Sequence, residues 1–142
     1  MSDLVYALDE VPYRASSESM FLYCALFDDC AKIGISVCPR VRMKQHTYAY
    51  GGAHGQTFRA GVFIEFPVEA ARTYEAVVSL LRHRGSYGHE WFSPDLFPLG
   101  VVMVRDPKAA FKYSQIFMNA RDVADCLTYR NLPVYAEYEV AA

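Results

Sequence analysis

The sequence of 142 residues predicts a single α+β domain built on a small three-stranded antiparallel sheet flanked by helices. Three observations lead there. Two apolar runs, "MFLYCALF" (Met20–Phe27) and "AKIGIS" (Ala31–Ser36), are separated only by the turn-like "DDC", which reads as a hairpin. A third run, "FRAGVFIEF" (58–66), is stopped by Pro67. Helical signals occupy 39–46 and 68–84, and hairpin, helix, strand, helix is an α+β order.

The elements follow in turn. Residues 1–19 are polar and Ser-rich near "RASSES", a lead-in segment or a short extra element. The length and aromatic content of "MFLYCALF" fit a buried central strand. Gly34 weakens the second strand unless a neighbouring group must come close. Pro39 suits a first helical turn, and the helix runs to about His46. Arg42 and His46, four residues apart, share one helix face. "AYGGAHGQ" is a loop by its glycines.

The segment 68–84 is the clearest helix, with Val68, Ala71, Tyr74, Val78 and Leu81 at helical spacing. Glu75 falls within that apolar arc, about 40° from Ala71 and about 60° from Val78. Burying a carboxylate costs several kcal/mol unless it is paired, hydrogen-bonded or bound to a metal. Arg82, two turns on, is one partner; a cation is the other.

"GSYGHEWFSPD" is a loop in which Glu90 either caps or braces the turn or serves as a ligand, while Trp91 and Phe92 seal the second helix against the sheet. "LGVVMV" reads as a strand. Asp106 and Pro107 open an extra C-terminal helix to about Leu127, and "PVYAEYEV" alternates as an edge strand. The expected organisation is therefore a lead-in at 1–19, a core at 20–93 and an extension packed on the core at 94–142.

Net charge is −2, so the whole surface is not that of a nucleic-acid binder. The distribution is uneven. Residues 38–89 carry seven Lys/Arg, three Glu and all four His, while both flanks are net acidic. That middle suits a local anion such as phosphate. The four cysteines form no Cys-x-x-Cys pair, which argues against a zinc knuckle. "MSDLVYALDE" lacks the pattern of a secretory leader, and no run reaches membrane-spanning length. The expectation is a cytoplasmic protein with reduced thiols and no membrane partner.

Taken in order, these residues resemble the GIY-YIG nuclease superfamily. "FLY" (Phe21–Tyr23) stands at the first signature tripeptide and "KIG" (Lys32–Gly34) at the second. The family's Arg follows eight residues after that Gly, here Arg42. A His or Tyr often follows one turn later, here His46. A metal-binding Glu comes from a later helix, here Glu75. "HEWF" (His89–Phe92) matches a branch, common in phages and bacteria, that reads "KIG" and has "EWF" after the Glu helix. The resemblance covers about 20–93. Lys32 replaces the second Tyr of better-known members, as in some other members, and 94–142 has no counterpart.

The resemblance implies a metal-dependent endonuclease acting on DNA, as a monomer or homodimer. Glu75 would hold one Mg²⁺ or Mn²⁺ per active site, an oxygen-ligand task. Arg42 would grip the phosphate with its planar fork. Tyr23 would orient or deprotonate water, with Lys32 favouring its phenolate. His46 would shuttle a proton or bind phosphate. Arg40, Lys44 and Arg59 would contact the nucleic-acid backbone. Two rivals stand beside this: a GIY-YIG-fold module that binds nucleic acid or protein without cutting, and an unrelated interaction domain built on Tyr-rich strands.

Overall fold

The computed structural model describes residues 5–6, 11–48, 52–78 and 91–107. Its elements are β1 (Val5–Tyr6), β2 (Ser19–Leu26), β3 (Ala31–Ser36), α1 (Pro39–Tyr48), β4 (Ala60–Pro67), α2 (Val68–Val78), β5 (Trp91–Phe92) and α3 (Phe97–Arg105). The sheet is antiparallel throughout, in the order β1-β4-β2-β3-β5. The three expected strands form its centre. Two-residue strands extend each edge, so the sheet has five strands rather than three.

β2 is central because both of its neighbours need it. Its apolar run serves two faces at once, and Phe21 through Ala25 are buried without interruption. The turn after it closes with Phe27 N–H donating to the Cys30 carbonyl at 2.8 Å. Register then assigns the faces, since residues directly opposite share one. Tyr23 lies opposite Gly34 and Phe63, and Ala25 opposite Lys32. Lys32 lies opposite Trp91. All of these point to the side covered by α1, where Tyr23, Phe27, Met43 and Phe63 form one cluster.

Leu22, Cys24 and Ile64 face the other way. The Cys24 thiol lies 3.9 Å from the Phe97 carbonyl of α3. Phe66, in register with Met20, stacks edge-on against Tyr74 of α2 at 5.0 Å. Helices α2 and α3 therefore cover that second face.

Two expectations are corrected. "LGVVMV" is not a strand; it lies within α3. A short run of apolar and β-branched residues fits a buried helix as well as a strand. The helix is decided upstream, where Ser93 Oγ accepts from Asp95 N–H at 3.2 Å and Pro94 opens a 3₁₀ turn that leads into α3. Trp91 does not seal α2 either. Phe92, opposite Ala31, is buried on the face that α2 and α3 cover, whereas Trp91 covers Lys32 on the opposite face.

The lead-in contains β1, paired with β4, and the fully buried Val11. Residues 94–107 pack on the core through α3. Residues 79–90, with Arg82 and Glu90, and everything beyond 107, including the expected helix to Leu127 and the edge strand, lie outside the described residues. Cys24, Cys30 and Cys38 are free thiols. Among the described residues no helix is long and apolar enough to cross a membrane.

Candidate active site

The site begins with Gly34. Tyr23 crosses from β2 over the β3 backbone. A Cβ on Gly34 would lie 2.7 Å from the Tyr23 hydroxyl and 2.9 Å from its Cζ. The glycine thus supplies the close approach that its place inside a strand demands. The ring carries its hydroxyl over that gap to His46 of α1, where it lies 2.8 Å from Nε2.

His46 is half-buried among aromatic rings. Trp91 meets it edge-on at 5.1 Å and Phe27 at 6.2 Å. Burial first, then the positive charges of Lys32 and Arg42, push its pKa down to about 3. The imidazole is therefore neutral at physiological pH. A neutral ring offers one N–H and one lone pair, and a tyrosine hydroxyl can complement either.

Lys32 is 5% exposed, with Nζ 5.2 Å from the centroid of the Trp91 ring. A buried ammonium needs such compensation, and the face of an indole provides part of it. Trp91 in turn fits only because residue 52 is glycine, where a Cβ would meet the indole at 2.5 Å. Arg42 is exposed, one turn before His46.

The structure thus brings Tyr23, Lys32 and His46 together, with Arg42 beside them electrostatically. Glu75 is half-buried, one turn after the fully buried Ala71, on the helix that covers the other face of the sheet. Its oxygen donor suits a hard cation in kind. Among the described residues no three His, Cys, Asp or Glu side chains cluster as a ready-made metal site.

The three backbone-contact candidates also converge. Arg40, Lys44 and Arg59 line one groove of about 810 Å³ between α1 and the start of β4, with Met43 and Phe58 among its apolar walls. Two of these cations are already held. Arg40 donates to the Val11 carbonyl at 2.7 Å. Arg59 Nε donates to Asp28 Oδ1 at 2.6 Å. The Thr57 amide and then Arg59 keep the Asp28 carboxyl below its usual range.

Sequence reasoning missed Trp91 as the cover of Lys32 and His46, and Phe58 as a groove wall. "EWF" drew attention to the tryptophan but could not say which face of the sheet it joins. Nothing in the sequence marks Phe58 apart from its place at the start of an apolar run. No protein-family model, curated protein or solved structure matches the chain.

Proposed function

We propose that the protein is a metal-dependent endonuclease that hydrolyses DNA phosphodiester bonds. One observation carries this reading: a tyrosine hydroxyl 2.8 Å from a neutral histidine, with the charges of Lys32 and Arg42 acting on that histidine. Two cations that disfavour an imidazolium favour an anion in the same place. A scissile phosphate is such an anion, and Arg42, exposed at the rim, can grip it with a planar fork. The arriving phosphate would offset the two cations and raise the His46 pKa toward the range useful for proton transfer. Tyr23 has no exposed surface, so substrate meets the pair at His46, and the hydroxyl orients the ring.

By the resemblance Glu75 would hold the cation, an oxygen-ligand task. Helix α2 covers the face of the sheet opposite His46, so this assignment rests on the resemblance and not on proximity to the Tyr23–His46 pair. When bound, the ion would supply Lewis-acid stabilisation of charge on the phosphate. A single site cuts one strand, so a double-strand break requires a second copy or a second encounter.

The burial of Tyr23 and Lys32 favours one alternative. Groups expected to meet water and phosphate are sealed by His46 and Trp91, as in a module that binds without cutting. Nicking of supercoiled plasmid with Mg²⁺ or Mn²⁺, abolished by chelator, separates the two readings. Glu75→Gln should abolish cation-dependent nicking while DNA binding stays measurable. Normal cutting by that variant refutes the metal assignment, and binding without any cutting by the wild type selects the alternative.

A further inference from the structure

We infer that the groove between α1 and β4 binds an unpaired nucleotide of a single strand, its base against Phe58 and its phosphates on Arg40, Lys44 and Arg59. The inference rests on the proposed function only in taking nucleic acid as the ligand.

The groove joins two surfaces that a duplex does not use together. Duplex phosphates need cations alone, because the bases are stacked inside the helix. An apolar, aromatic wall gains a partner only when a base is unstacked and exposes its face. Phe58 is half-buried and braced from behind, its ring 5.8 Å from Phe27 and 6.4 Å from Phe63. A ring held in this way can meet a base at little conformational cost. Met43, 2% exposed, forms the apolar floor of the groove. At about 810 Å³ the groove is far larger than one phosphate needs and falls in the range of small-molecule sites. Asp28 takes Arg59 by Nε, and a guanidinium has further donors for a phosphate.

The groove also opens on the face that holds Tyr23. Gly61, in its lining, is in register with Ala25, two residues along β2 from Tyr23. Phe27 touches both Phe58 and His46, so one aromatic cluster spans the groove and the candidate active site. A strand seated in the groove would run toward His46.

The test is fluorescence anisotropy in chelator, so that cutting plays no part. The probes are a labelled oligothymidine of about twelve nucleotides and the same strand annealed to its complement. The single strand should bind about tenfold or more tightly than the duplex. Phe58→Leu keeps apolar volume but removes the aromatic face. It should weaken single-strand binding about fivefold or more and leave duplex binding unchanged. Lys44→Ala should weaken both, and thermal melts verify that each variant is folded. Equal affinity for the two probes, no binding of either, or wild-type single-strand affinity in Phe58→Leu overturns the inference. None of these outcomes depends on whether plasmid is nicked, so the inference and the nuclease reading can fail separately.

Discussion

At Gly34 the missing side chain is the space over which Tyr23 reaches His46. Gly34→Ala places a methyl 2.7 Å from the hydroxyl, and a rigid ring cannot yield as a flexible chain end would. The variant should lose about 1–3 kcal/mol in denaturant unfolding, the usual cost of overpacking. It should also separate Tyr23 from His46, which NMR of the imidazole would detect. His46 itself sets a pH dependence. Its folded pKa, about 3, lies below the unfolded value near 6.5, so between these the unfolded chain binds more protons. Stability from this residue is therefore complete above about pH 6.5 and falls as pH drops toward 3. Partial exposure limits the loss to about 1–2 kcal/mol. Unfolding measured from pH 7 to pH 4 should show this slope, and His46→Gln should flatten it.

Among the elements, α1 serves both sites, and its construction explains what the sequence concealed. It buries only Pro39 and Met43, with His46 half-covered, so its apolar periodicity is weak although its place is fixed by the sheet. The outward residues Arg40 and Lys44 line the groove. Neutralising Arg40, Lys44 and Arg59 together should lower the salt slope of log K for duplex DNA by about two to three, at roughly 0.9 per phosphate contact. Binding titrations at several salt concentrations would measure it, and the loss should be alike on every sequence. The hairpin was legible because a turn separates two unambiguous apolar runs, and β3 spans the expected residues, Ala31–Ser36. The α3 segment was not, because Val101, Met103 and Val104 are all buried and a helix surrounded by protein loses the alternation that would mark its period. Only the Ser93–Pro94 start distinguishes it.

Across the whole molecule, the grouping of Tyr23, Lys32, Arg42 and His46 was legible because hairpin register and one helical turn fix it. The position of Trp91 was not, since it depends on a two-residue strand added at the far edge of the sheet. Nor could spacing alone say which face α2 covers, and hence from which side Glu75 approaches. Another long-range tie was invisible for the same reason. Gln56 Oε1 accepts from the Asp29 amide at 2.7 Å and from the Cys30 thiol at 3.6 Å, while its amide nitrogen donates to the Gly52 carbonyl at 2.5 Å. Alongside, Asp28 accepts from the Thr57 amide at 2.9 Å and from Arg59. The β2–β3 turn and the segment before β4 are thus latched by side chains at both ends. Such a latch opens as one cooperative unit, and its amides should exchange with deuterium on a common clock. Gln56→Ala should hasten exchange at Asp29, whose acceptor is lost, and equally at Thr57, whose acceptor is untouched.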